Sequence, residues 1–231
     1  MKVSIIIPCR NEEKFIGKCL DSVLMQDYPK DKIVVLFVDG QSIDRTRMII
    51  EEYVKSYPFI RLLNNPRKTV PFALNKGITE AEGKIIIILS AHAYYPPDYV
   101  SKCVKHLNKY KVYNVGGIFE TLPGAKTLKA MAIALTLSSP FGVGNSYFRT
   151  GIKEPRLVDT VPFGCYHKEI FEKNGNFNEN LTRNQDIEFN LRLKKAGCKI
   201  LLVPDIKSYY YARSTFKELF MNNFQNGFWV I

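Results

Sequence analysis

The feature that most constrains this chain is an alternation, repeated along its first half, of short β-branched runs with stretches of helical periodicity. Residues 3–7, closed by Pro8, read as a buried strand ending at a turn. Phe15, Ile16, Cys19, Leu20, Val23 and Leu24 then recur at helical spacing, with Asn11 and two glutamates as entry signals. Further strands are expected at 33–38, 59–63, 84–89 and 112–119, separated by helical patterns around 49–53, over 70–81 and over 100–110. Strands alternating with helices of this length predict βαβ units: an α/β fold with an open, mostly parallel sheet and helices on both faces. The pattern changes after residue 120. Residues 125–137 predict an apolar helix, and the Gly/Ser/Pro-rich passage from Ser138 to Ser146 predicts a long functional loop. Residues 158–163, a short helix near Lys168, a helix over 186–196 and strands at 200–203 and 207–211 complete the reading. No repeat or flexible linker interrupts it, so one domain over 1–231 is expected, with halves meeting near residue 120.

At 231 residues and 46% hydrophobic, the chain can bury a sizeable core, and disorder is excluded. Its net charge of +11 reads either as a solvated basic surface or as a sign of an anionic partner: nucleic acid, an anionic membrane surface or a phosphorylated substrate. No basic-aromatic motif supports nucleic acid, so it is not the expected partner. Cys9, Cys19, Cys103, Cys165 and Cys198 are scattered without a C-x-x-C pair, which predicts neither a zinc site nor a disulfide framework and suits a reducing cytosol. Cys19 and Cys103 fall on apolar helix faces. The N-terminus opens on a strand pattern with no visible signal peptide, and no run reaches the roughly 18 apolar residues of a membrane span. The apolar tail at 228–231 reads either as a natural end or as a boundary before more hydrophobic sequence.

Ligands in an open α/β sheet bind at the carboxyl ends of the strands. There the run 84–89 delivers Ser90-Ala91-His92, and no carboxylate stands between Lys84 and Pro97. Neither G-x-G-x-x-G nor G-x-x-x-x-G-K-[ST] is present, which excludes the common dehydrogenase and P-loop designs. Instead the first strand runs into Pro8-Cys9-Arg10-Asn11-Glu12, which reads either as a helix N-terminus and Arg10 suited to phosphate or as a capped helix with a surface arginine. Asp39, ending the second strand beside Gly40, can accept from a base or a ribose hydroxyl, or can simply shape a turn. Arg67 and Lys68 are pyrophosphate contacts or solvated charges.

Taken together, Ser4–Glu12, the segments Val-Asp-Gly-Gln-Ser-Ile-Asp at 38–44 and Ala-Leu-Asn-Lys-Gly-Ile at 73–78, Ser-Ala-His-Ala at 90–93 and Asn-Gln-Asp-Ile-Glu-Phe-Asn-Leu-Arg-Leu at 184–193 resemble family 2 glycosyltransferases with the GT-A fold. The exopolysaccharide branch that includes succinoglycan-type enzymes is the nearest in flavour. The resemblance implies an inverting transfer from a nucleotide-diphosphate sugar, a UDP-sugar above all, to a lipid-linked or polysaccharide acceptor. It implies that Pro8, Arg10, Glu12, Asp39 and Lys68 hold the donor, with Asp39 facing the base. Ser90, Ala91 and His92 occupy the slot of the D-x-D motif, so His92 becomes the candidate ligand for a divalent metal, Mn²⁺ or Mg²⁺. Gly164, Gln185 and Arg192 match acceptor-side positions, and Asp186 matches the catalytic base. An acid in a first helical turn is also favoured by the macrodipole, which lowers its pKa and works against a base. The replacement of the D-x-D acids and of the acid before Asp186 leaves a non-catalytic nucleotide-sugar-binding domain as the alternative. The apolar helix at 130–137, Lys126, Lys129 and the C-terminal aromatic residues suggest an anionic membrane surface at its cytoplasmic face.

Overall fold

The computed structural model describes residues 1–229. Its first half contains β1 (Val3–Cys9), α1 (Ile16–Leu24), β2 (Ile33–Asp39), α2 (Thr46–Ser56), β3 (Ile60–Asn64), α3 (Val70–Glu80) and β4 (Ile85–Ile88). The four strands are parallel in the order β3-β2-β1-β4, as the alternation predicts. Successive residues of a strand point to opposite faces. In β1, Val3, Ile5 and Ile7 therefore pack with Ile16, Cys19, Leu20 and Val23 of α1, while Ile6 packs on the other face with Ala73, Leu74 and Ile78 of α3. Both faces are buried, which is why these strands read as unbroken apolar runs.

Next come β5 (Ala93–Tyr94), α4 (Tyr99–Tyr110), β6 (Asn114–Leu122), α5 (Leu128–Leu137), α6 (Pro140–Val143) and α7 (Tyr147–Thr150). β7 (Arg156–Leu157), β8 (Cys165–His167), α8 (Glu169–Asn174), α9 (Gln185–Lys195), β9 (Ile200–Tyr211) and α10 (Phe216–Phe228) follow. Here the sheet becomes mixed. β8 inserts antiparallel between β4 and β6, β9 runs parallel to β6, and β5 and β7 run antiparallel to β9. Strands of two or three residues carry no periodicity of their own, so the sequence does not announce them. The segment 158–163 lies between two short strands, β7 and β8.

The two strands expected at 200–203 and 207–211 are one strand with an irregularity. Gly117 pairs with Val203 and Ile118 with Lys207, so 204–206 loop out of register. A Cβ on Gly117 would lie 2.0 Å from the Ile206 carbonyl oxygen, so only glycine admits this approach. At the C-terminus, Thr215 and Glu218 form a capping box that starts α10. Of the apolar tail, Val230 and Ile231 lie outside the described residues. Among the described residues no helix is long and apolar enough to cross a membrane.

Candidate active site

The strand order reverses direction at β1, with β2 on one side and β4 on the other, and a cleft opens beyond the carboxyl ends of β1 and β4. It has a volume of about 650 Å³. Of the candidate residues, it brings together Pro8, Arg10, Glu12, Lys68, Ser90, His92, Gly164, Gln185 and Asp186.

Asp186 sits in the first turn of α9, which starts abruptly because Asn184 is held in a left-handed conformation (φ 59°). The side chain opens into the cleft, whose walls surround it with protein and displace bulk water from around its charge. Desolvation pushes its carboxyl above the ordinary aspartate value, against backbone hydrogen bonds at Ile187 and Asp186 itself that pull it down. The lowering expected from the helix macrodipole is thus outweighed. Tyr166 lies near enough for the Asp186 charge to add to the burial that raises its phenol. Gly164 lets that ring close in: a Cβ there would meet the Tyr166 ring at 2.6 Å.

In the slot at 90–92, Tyr95 is buried and staples the loop, its hydroxyl accepting from the Ser90 amide at 2.8 Å. His92 Nδ1 is 3.1 Å from Glu12 Oε1 and 3.4 Å from Ser90 Oγ. A proton on Nδ1 donated to Glu12 leaves Nε2 with its lone pair, the carboxylate–histidine arrangement that orients a metal ligand. Among the described residues no group of three His, Cys, Asp or Glu side chains is placed to hold a metal ion. The donor set therefore fits a cation held through one imidazole and, for the rest, by oxygens of a bound diphosphate.

Other candidates are placed differently. Asp39 is fully buried; it accepts from the Ser42 hydroxyl at 2.5 Å and from the Ser42 amide, and lies 3.7 Å from Arg47. Its carboxylate closes the 39–42 turn, and Gly40 rather than Asp39 lines the cleft. Ala91 is packed in the core, away from the opening. Arg192, six residues and about 240° around α9 from Asp186, pairs with Glu188 and donates to the carbonyls of Asn174 and Asn176, so it braces a turn rather than lining the cleft. The phosphate-binding helix start expected near Arg10 is also occupied. The Asn11 and Glu12 amides donate to Ser42 Oγ and Thr46 Oγ1, and α1 begins only at Ile16.

Three arginines that the motifs did not single out line the same cleft: Arg149, Arg183 and Arg213. Arg183 directly precedes the Asn-Gln-Asp run and Arg149 follows the Gly/Ser-rich passage by three residues, so adjacency was the available signal. Tyr210, on β9, is the common neighbour. Its ring meets His92 at 5.0 Å between centroids, and the Arg149 guanidinium lies 5.7 Å from it.

Comparison with known proteins agrees with this geometry. The sequence profile described as "Glycosyl transferase family 2" matches residues 4–175, more than half of the chain. The chain is 35% identical to the dolichyl N-acetyl-alpha-D-glucosaminyl phosphate 3-beta-D-2,3-diacetamido-2,3-dideoxy-beta-D-glucuronosyltransferase of Methanococcus voltae, over 97% of this chain and 71% of that protein. It is 29% identical to the succinoglycan biosynthesis protein ExoA of Rhizobium meliloti, over 96% of this chain and 67% of that one. Among solved structures, the mannosyltransferase PcManGT of Pyrobaculum calidifontis, in complex with GDP-Man and Mn²⁺, superposes with a TM-score of 0.73 at 22% identity, covering 95% of this chain and 59% of that one. TarS 1-349 of S. aureus with UDP-GlcNAc gives 0.71 at 19%, covering 92% and 59%. A purely non-catalytic domain is not favoured by these matches. The chain belongs to glycosyl transferase family 2 and has the GT-A fold.

Proposed function

We propose that the cleft transfers a sugar from a nucleotide-diphosphate donor, a UDP-sugar, to a hydroxyl of a lipid-linked or polysaccharide acceptor, with inversion at the anomeric carbon. The observation that carries this reading is a carboxylate, Asp186, desolvated at the floor of a cleft that also contains the β1 and β4 strand ends. A base with a raised pKa is better matched to a hydroxyl proton than an ordinary aspartate. In the step, the acceptor oxygen attacks the anomeric carbon and gives its proton to Asp186. The bond from that carbon to the phosphate oxygen breaks on the opposite side, and its electron pair leaves with the diphosphate.

Arg10, Glu12, Lys68 and Ser90 stand where they can line the donor, and Asp39 shapes the turn against which a base would rest. A divalent cation bound with the donor would add positive charge beside the leaving diphosphate, with His92 holding it and Glu12 fixing the imidazole. Gly164 and Gln185 lie on the acceptor side of Asp186. The nucleotide-binding half runs to about residue 120, and the rest supplies the acceptor side.

The acceptor class is supported by the names of the M. voltae and R. meliloti relatives, and by exposed apolar side chains on two neighbouring helices, α10 and α5. Phe216, Phe220, Phe224 and Phe228 recur every four residues along α10 and are exposed, as are Leu128, Met131 and Leu135 of α5. With Lys126 and Lys129 beside α5 and the net charge of +11, this face suits the anionic cytoplasmic surface that presents a lipid-linked acceptor.

The test is a transfer assay with a panel of UDP-sugars and short-chain polyprenyl-phosphate-linked sugars, read by mass spectrometry. Asp186→Asn is expected to lower turnover by about 10²–10⁴-fold while leaving donor affinity intact. Full activity of that variant would refute the role of the base.

A further inference from the structure

A departing nucleoside diphosphate carries charge that a D-x-D motif balances by recruiting a metal through two carboxylates. This slot, Ser90-Ala91-His92, has none. The wall around Tyr210 has the opposite peculiarity. Three guanidinium groups line the cleft there, and among the described residues none has a carboxylate within 4 Å.

Arg149 is half-buried. Its guanidinium lies 4.6 Å from the centroid of Phe119 and 5.7 Å from those of Phe148 and Tyr210, and among the described residues its one polar contact is a 3.5 Å approach to Thr121 Oγ1. Burial lowers its pKa, a sign that the bare cation is held there at a cost. Arg183 is positioned by neutral oxygens only: Asn222 at 2.9 Å, Asn226 at 3.0 Å and Gln225 at 2.6 Å, all from α10. Arg213 stands close enough to disfavour the Arg183 charge further, after burial. Glu218, whose carboxylate feels the Arg213 charge, is committed to the capping box. Like charges gathered in a partly desolvated cleft are unfavourable unless an anion completes them, and a guanidinium fork matches two phosphate oxygens at once. Tyr210 fixes the location. Its ring lies against both the Arg149 guanidinium and the His92 ring, so Arg149 stands beside the 90–92 slot.

We propose that Arg149, with Arg183 and Arg213, is a guanidinium clamp for the diphosphate of the donor, supplying the positive charge that the Ser-Ala-His slot lacks the acids to recruit. The clamp rests on the proposed function and deepens it. When the anomeric bond breaks, the electron pair moves to the phosphate oxygen, and the Arg149 fork faces the charge that develops there. The chemistry recognised is a phosphate-ester anion, which a lipid-phosphate acceptor also carries, so the test separates the two sources.

The experiment is calorimetric titration of the unaltered chain, Arg149→Ala and Arg149→Lys with UDP, with uridine and with farnesyl phosphate, in EDTA and again with Mn²⁺. The expected result is UDP binding in EDTA that weakens about tenfold or more in Arg149→Ala, with uridine affinity unchanged. Arg149→Lys should recover only part of the loss. Unchanged uridine affinity also shows that the variants remain folded. UDP affinity within twofold of the unaltered chain in Arg149→Ala, or UDP binding by the unaltered chain that vanishes in EDTA, would overturn the clamp. A loss confined to farnesyl phosphate would assign the arginines to the acceptor and overturn the donor assignment. If the unaltered chain bound uridine but gained nothing from the diphosphate, the clamp alone would fall; if it bound neither UDP nor uridine, the donor-site reading would fall with it.

Discussion

Asn75→Ala should loosen the loop that carries Phe177, a residue of the cleft wall. Asn75 is buried in α3, and its amide holds a loop about a hundred residues away. Nδ2 donates to the Phe177 carbonyl at 2.9 Å and to Glu179 Oε1 at 2.9 Å, while Oδ1 accepts from the Phe177 amide at 3.0 Å. Alanine strands the Phe177 N–H and C=O, both beside a side chain that is only 3% exposed. Glu179 is at the surface, and water replaces its lost partner. Each stranded backbone group costs about 1–3 kcal/mol, so the pair costs about 2–4 kcal/mol once partial relaxation is allowed. For a chain of this length each kcal/mol lowers Tm by about 2–4 °C, which gives a fall of about 4–15 °C. Thermal unfolding followed by circular dichroism measures it, and Asn75→Asp, which keeps the acceptor but sets a second oxygen against the Phe177 carbonyl and the Glu179 carboxylate, should fall at least as far. A Tm within 1 °C of the unaltered chain would refute the reasoning.

Turnover against pH should show an acid limb above the ordinary aspartate value. As pH falls through the raised Asp186 pKa, the carboxyl takes up a proton and can no longer accept one from the acceptor, so activity is lost on the acid side first. A limb at or below the ordinary value would contradict the desolvation. Gly117→Ala should be poorly folded, because the new Cβ meets the Ile206 carbonyl and both β6 and β9 must shift; normal yield and Tm would show that the irregularity is compliant. Of the five cysteines, Cys9, Cys19, Cys103 and Cys165 are buried and only Cys198 is half-exposed. Maleimide should therefore label one thiol in the native protein, slowly because desolvation raises the Cys198 pKa, and five after denaturation. Two or more fast-reacting thiols would contradict the packing.

The parallel half of the fold was legible because burial on both faces writes itself as uninterrupted Val and Ile runs, and α1 and α3 repeat their apolar residues at the helical period. The antiparallel half was not, because β5, β7 and β8 are too short to carry a period and are specified by their partners. The motif at 73–78 was legible as a likeness, but its physics is structural: Asn75 clamps Phe177, and Gly77 leaves no room for a Cβ, which would meet Ile6 Cγ2 at 2.4 Å. Asp186, His92 and Glu12 were legible as candidates through the motifs they stand in, and the cleft brings the three together. Arg149, Arg183 and Arg213 escaped notice because, in the sequence, each looks like any solvated charge. Only the fold shows that Phe119, Phe148 and Tyr210 surround the first. Arg192 failed in the other direction: it lies within a matching motif, yet helical geometry turns it away from the cleft.

The central claim is that the cleft beyond β1 and β4 is a nucleotide-diphosphate site, and calorimetric titration of the unaltered chain with UDP tests it most directly. The account predicts saturable binding of one UDP per chain, weakened by Asp39→Asn, which loosens the turn at 39–42. An absence of saturable binding, with or without Mn²⁺, would contradict it.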